Sequence, residues 1–254
     1  MLQAFAYGAK IVAIDGNFDD ALRIVRELGA TGDFTIVNSI NPDRIAGQKT
    51  AAFEVVDDLG DAPDFHLLPV GNAGNITAYW AGYRKYLACE RSTKLPAMIG
   101  FQAAGAAPMF YDCIIDKPET IASAIQIGNP VSVKKAINTL RKYSGIVEQA
   151  TEAELSDAAA RADRTGMFNC PHTGVALAAL LKLRERGQIG ARDRVVVIST
   201  ANGLKFTDFK VGYHSGTLAG VPSTRANKPV ELPNDYDAVR RAIDTAEERV
   251  HAAQ

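Results

Sequence analysis

The run Gly71-Asn72-Ala73-Gly74-Asn75 lies between an apolar stretch, Phe65 to Val70, and a helical pattern from Ile76 onward. Two glycines let successive backbone N–H groups converge on one point, and a following helix adds its unpaired first N–H groups and the positive end of its dipole. That order of residues suits phosphate binding, and the two asparagines supply side-chain amides without adding charge. An ordinary βα turn that needs glycine for geometry alone fits the same spacing equally well. Arg44 stands close after the Asn38-Ser39 pair. It reads either as a surface arginine or as a guanidinium that clamps an anion bidentately. Ser199-Thr200-Ala201-Asn202-Gly203 forms a third polar loop. In Cys170-Pro171-His172 the chain offers a thiol and an imidazole, but no second Cys or His stands at ligand spacing. Pro171 and Gly174 fit entry into a helix better than a metal site. His66 and His214 read as structural or solvent-facing. Lys205, after the last glycine loop, reads as anything from a ligand contact to a salt-bridge partner.

The elements that must carry these groups alternate between strand and helix. Ala9 to Asp15, Phe34 to Val37, Phe65 to Val70, Ala97 to Gln102, Ile146 to Glu148 and Val195 to Ile198 read as strands. Helices are expected from Asn17, over Ala51 to Leu59, Thr120 to Ile127, Val133 to Tyr143, Thr151 to Asp163, Val175 to Arg186 and Asp235 to His251. The helix from Thr151 opens on a capping box, threonine followed three residues later by Glu154. The first residues read as the tail of a helix. Such alternation predicts an α/β fold with a mainly parallel sheet. Loops 38–44, 71–75 and 199–203 would then open on one edge of that sheet and share a pocket.

With 47% hydrophobic and 22% charged residues, the 254-residue chain can bury a substantial core. A net charge of −1 gives no electrostatic footprint for nucleic acid or an anionic membrane. No segment approaches the roughly 20 apolar residues of a spanning helix. Cys89, Cys113 and Cys170 are odd in number and scattered, which fits reduced thiols and a cytoplasmic setting. The start shows neither a signal nor a transit pattern. A small-molecule site is the expectation.

Several motifs together resemble the threonine synthase family, pyridoxal-phosphate enzymes of the tryptophan synthase β-like fold (fold type II). Leu68-Pro69-Val70-Gly71-Asn72-Ala73-Gly74-Asn75-Ile76-Thr77-Ala78 and the segment from Val37 to Ala52 carry the likeness. Ser123 to Gly128, Thr165 to Leu177 and Ser199 to Thr207 resemble its plant-type branch. The match runs from about Gly8 to His214, and the tail from Ser215 lies outside the motifs. The resemblance implies pyridoxal 5'-phosphate held by Gly71, Asn72, Ala73, Gly74 and Asn75, with the Thr200 hydroxyl on the pyridine nitrogen. It implies that Asn38, Ser39 and Arg44 bind the phosphate of O-phosphohomoserine. The reaction would be a β,γ-replacement giving L-threonine and phosphate, a lyase step of threonine biosynthesis, and a homodimer is a family expectation.

The chain departs from the family pattern at its start. The segment with the Schiff-base lysine, Ser-Phe-Lys-Asp-Arg-like, and a Ser-Thr-Gly-Asn-like ring loop have no counterpart, and Lys10 and Lys49 lie in other contexts. No catalytic residue is therefore assigned, and the chain reads as N-terminally truncated, without the S-adenosylmethionine-binding extension. Residues 1–36 read as a remnant of the small α/β domain, 37–214 as the large cofactor-binding domain, and 215–254 as a tail with a helix. Alone, such a chain would be inactive. The alternatives are a non-catalytic remnant and another fold type II enzyme such as a serine/threonine dehydratase, which would share the cradle without needing Asn38, Ser39 and Arg44.

Overall fold

The computed structural model describes residues 2–16, 18–37, 41–130 and 145–251. Among these residues four strands form one sheet: β1 (Phe65–Pro69), β2 (Ala97–Ala103), β3 (Ile146–Ala150) and β4 (Val195–Val197), in the order β3-β2-β1-β4. Every pairing is parallel, with Leu67 opposite both Ile99 and Val197. All carboxyl ends therefore lie at one edge. Neighbouring strand residues point to opposite faces, and both faces are covered. Leu67 and Ile99 join a core with Leu155, Val175 and Leu183, while Leu68 and Met98 join one with Val56, Ile76, Trp80 and Tyr83. Burial on both faces explains why β1 reads as a continuous apolar run rather than an alternating one.

The helices among the described residues are α1 (Leu2–Ala6), α2 (Phe18–Ala30), α3 (Pro42–Gln48), α4 (Thr50–Leu59), α5 (Gly74–Ala88), α6 (Pro108–Tyr111), α7 (Glu152–Asp163), α8 (Pro171–Glu185), α9 (Thr207–Ser215) and α10 (Tyr236–His251), of which α4, α5, α7 and α8 supply the core residues that cover the two faces. The capping box at the start of α7 is present in both directions, Thr151 side chain to Glu154 N–H and Glu154 side chain to Thr151 N–H. Two glycines allow close helix crossings. A Cβ on Gly82 of α5 would lie 2.2 Å from the Lys49 carbonyl oxygen, so the α3–α4 corner sits directly on α5. A Cβ on Gly174 of α8 would lie 2.3 Å from the Leu155 carbonyl oxygen, which sets α8 against α7.

Several expectations are corrected. Residues 9–14 and 35–37 form no strand. No strand pairs with them among the described residues, so their backbone groups would have no ladder to join, and Val12 and Val37 are largely exposed. Residues 42–48 are helical rather than loop, because Asn41 caps α3 by accepting the Asp43 N–H and Pro42 occupies its first turn. Of the helix expected over Thr120 to Ile127, only a 3₁₀ turn at Ser123–Ile125 forms. The helix expected over Val133 to Tyr143 lies outside the described residues. Among the described residues, no helix is long and apolar enough to cross a membrane.

Candidate functional site

At the carboxyl edge of the sheet a cleft of about 430 Å³ is lined by Gly71 to Asn75, Arg44 and Thr200. The structure thus brings together three separated parts of the chain that sequence reading placed on one edge. Asn38 and Ser39 lie outside the described residues. Arg44 arrives by a different route from the one expected: it projects from α3, and the Gly82 crossing holds the end of that helix against α5. Gln48, one turn after Arg44, lines the same cleft. The i, i+4 spacing was the available signal for Gln48, hidden by reading 38–44 as a loop.

The cradle is shaped by backbone conformation. Ala73 takes a left-handed conformation (φ 60, ψ 12) at the N-terminus of α5, where no side chain caps the helix. An L-residue there costs about 1–2 kcal/mol, and a left-handed residue at a helix start is the kind of turn from which anion-binding concavities are built. Gly71 is needed for a close approach: a Cβ would come within 3.3 Å of Ile125 Cα and 3.1 Å of Ile127 Cδ1. Asn75 does not offer its amide to a ligand. Its Nδ2 donates to the Pro69 carbonyl at 2.7 Å and its Oδ1 accepts the Ile76 N–H at 2.8 Å, so its side chain braces the turn.

The opposite wall joins the start of α8 to the loop after β4. Cys170, fully buried, caps α8, and its N–H donates to the Ala201 carbonyl at 3.2 Å. The Thr200 N–H donates to Thr173 Oγ1 at 3.2 Å. His172 lines the cleft, with Nε2 accepting the Ala124 N–H at 2.9 Å; its ring meets Phe206 edge-on at 4.9 Å. A proton on the neutral ring is therefore on Nδ1. Pro171 enters a helix as expected, while His172, Ala124, Ile125, Ile127 and Phe206 are cleft-lining residues that the sequence reading did not assign. The 3₁₀ turn brings Ala124 and Ile125 to the cleft, and no spacing in the sequence announces it. Lys205 lies elsewhere, beside a second hollow of about 890 Å³. Among the described residues, no lysine lines the cleft and no cluster of His, Cys, Asp and Glu is arranged to hold a metal ion.

Such a cleft fits a ligand with a phosphate at one end and a hydrogen-bonding ring at the other. The uncapped N-terminus of α5 supplies the anion site, and Thr200 supplies a hydroxyl on the facing wall. Arg44 adds a second place for an anion; it is the one Lys or Arg side chain lining the cleft among the described residues.

Comparison with known proteins points the same way. Residues 2–201 match a family model described as pyridoxal-phosphate dependent enzyme. The chain is 44% identical over 249 residues to Threonine synthase 2, chloroplastic, of Arabidopsis thaliana, covering 94% of this chain and 48% of that protein. It is 49% identical over 210 residues to a threonine synthase of Synechocystis, covering 82% of this chain and 54% of that one. The chain thus spans about half the length of these curated relatives. Among solved structures, threonine synthase from Escherichia coli superposes with a TM-score of 0.65 at 21% identity, over 94% of this chain and 59% of the other, a likeness of fold.

Proposed function

The chain belongs to the pyridoxal-phosphate dependent enzyme family, and from that premise we propose that the protein converts O-phospho-L-homoserine and water to L-threonine and phosphate. The observation that carries the reading is the single cleft in which an uncapped helix N-terminus, the Thr200 hydroxyl and the Arg44 guanidinium meet. Two anion sites in one cleft suit a phosphorylated cofactor and a phosphorylated substrate together. The high identity to threonine synthases supports the same assignment.

When bound, the cofactor supplies an electron sink that eases proton loss beside the substrate's amino group. Gly71, Asn72, Ala73, Gly74 and Asn75 bind its phosphate through backbone N–H groups. Thr200 orients its ring by meeting the ring nitrogen. Arg44, with Asn38 and Ser39, holds the substrate phosphate and balances its charge as it departs from Cγ, and water adds at the neighbouring Cβ. Since no lysine among the described residues lines the cleft, the assignment covers binding and orientation by this chain and names no residue for the cofactor's aldehyde. The residues to 36 are assigned to the small domain, 37–214 to the cofactor-binding domain, and the working setting is the cytoplasm.

The test is a titration of the 254-residue chain with pyridoxal phosphate and then with O-phospho-L-homoserine, followed by the phosphorus resonance of each. Both are expected to bind, with the phosphorylated substrate preferred over homoserine. Arg44 is an exposed residue at the cleft, so its contact is discounted for solvent: Arg44→Ala should weaken O-phosphohomoserine binding by about 1–2 kcal/mol, roughly tenfold, and spare the cofactor. Equal binding of homoserine, or no effect of Arg44→Ala, overturns the assignment. Ammonia release from L-serine in excess of phosphate release would move it to a dehydratase.

A further inference from the structure

The polar side chains of the cleft divide into those tied to the protein and those left for a ligand. Asn75 gives its amide to the Pro69 carbonyl and the Ile76 N–H, and His172 Nε2 is taken by the Ala124 N–H. Arg44 and Gln48 differ. Both line the cleft, and among the described residues no hydrogen bond or ion pair holds the guanidinium of the one or the amide of the other. They stand four residues apart on α3, which sets their Cβ atoms about 5–6 Å apart on one face of the helix. Their backbone is fixed. The Lys49 N–H donates to the Ile45 carbonyl at 3.3 Å, the Thr50 hydroxyl donates to the Gly47 carbonyl at 2.8 Å, and the Lys49 carbonyl oxygen sits where a Cβ on Gly82 would meet it at 2.2 Å. Because α5 also carries the cradle at its N-terminus, this crossing fixes where the α3 face stands relative to the cofactor's phosphate site.

The chemistry of the two groups assigns the ligand. A guanidinium offers parallel N–H groups in one plane, and a planar carboxylate is fully matched by that fork. A phosphate monoester has three non-bridging oxygens arranged tetrahedrally, so the fork takes two and leaves the third out of its plane. A primary amide one helical turn further on is a donor for that third oxygen. Being neutral, it adds a hydrogen bond without adding charge, whereas a lysine in its place would attract either anion. We propose that Gln48 is a specificity-determining residue: with Arg44 it forms a site that recognises a tetrahedral phosphoryl end and discriminates against a planar carboxylate end. This rests on the reading that Arg44 holds the substrate's phosphate. It extends that reading by naming the residue that separates a phosphorylated amino acid from a dicarboxylic one of the same length.

The experiment titrates the 254-residue chain, saturated with pyridoxal phosphate, with three ligands in a calorimeter. O-phospho-L-homoserine is the first. L-2-aminoadipate carries a planar carboxylate at the same number of bonds from Cα, and 2-amino-5-sulfopentanoate carries a tetrahedral but singly charged sulfonate there. Gln48→Met, which keeps the length and helix propensity of the side chain and removes its donor, should weaken the phosphate and the sulfonate roughly fivefold and leave aminoadipate unchanged. Gln48→Glu, of the same size and negative, should weaken the phosphate further. Arg44→Ala should weaken all three. Phosphate binding unchanged in both Gln48 variants, or an equal loss for aminoadipate, overturns the role of Gln48 and leaves the Arg44 contact standing. A sulfonate that follows aminoadipate rather than the phosphate would mean that charge and not shape is read, and overturns it too. Phosphate binding indifferent to Arg44→Ala as well overturns both readings.

Discussion

Two histidines of the core show how burial decides what a titratable residue does. His172 keeps a hydrogen bond on Nε2 at the cleft wall, whereas His66 on β1 is fully buried beside Tyr79 and Tyr83, with Nδ1 2.8 Å from the Tyr83 hydroxyl and no partner on Nε2 among the described residues. Burial pushes its pKa down from 6.5 to about 3. The folded value is below the unfolded one, so between them the unfolded chain binds the extra proton and stability rises with pH; the contribution is complete above about 6.5 and lost toward 3. On lowering the pH from 7 to 5, unfolding free energy should fall by about 2 kcal/mol. Urea denaturation at both pH values checks this, and His66→Phe should remove most of the difference. Asp61 and Asp64, held below the usual carboxylate range mainly by side-chain hydrogen bonds from Thr93 and Lys94, act at lower pH. An equal slope in His66→Phe would place the proton elsewhere. The sequence allowed a structural His66 but could not fix its burial, because that depends on α5 laying Tyr79 and Tyr83 over β1.

At the scale of elements, local signals were legible where the deciding interaction is local. The Thr151–Glu154 box and the Pro171 entry were readable because both partners lie within one turn. The strands at 9–15 and 34–37 were misread because an apolar run becomes a strand only with a neighbour to pair with. Helix α3 was missed because Asn41-Pro42-Asp43 opens a turn as readily as a helix. What sequence could not show at all is the stitch between the loops before α8 and after β4. Asn169 bridges Asn202, and Asp163 at the end of α7 accepts hydrogen bonds from the Asn169 N–H and side-chain amide and pairs with the Lys210 ammonium from α9. Lys210 also lies 5.3 Å from the Phe168 and Phe209 ring centres. The pair is nearly buried, with side-chain exposures of 9% and 15%. Lys210→Met should therefore destabilise the chain by about 3 kcal/mol, since Asp163 would keep only its Asn169 partners. It should also weaken cofactor binding by loosening the loop that carries Thr200. Chemical denaturation and the cofactor titration measure the two effects, and a stability loss under 1 kcal/mol would mean that the ion pair is dispensable.

On the scale of the whole molecule, the parallel sheet turns sequence distance into proximity. Because β1 and β4 run the same way side by side, the loops after them must open together, and that much of the cleft was legible from the alternation of strands and helices. The third contributor is of another kind: α3 belongs to the segment before β1 and reaches the cleft only by packing on α5. A ligand that touches all three should couple them. At 100 times its Kd, bound cofactor stabilises the folded chain by about 2.7 kcal/mol. If occupancy is sensed at each wall, the amides of 72–77, 199–203 and 42–48 should all exchange more slowly with solvent deuterium when cofactor and O-phosphohomoserine are present together. With cofactor alone, the first two segments should gain protection and α3 should gain little, if Arg44 answers to the substrate's phosphate as proposed. Protection confined to 72–77 under both conditions would mean that the ligand is held by its phosphate only and that the cleft does not act as one site.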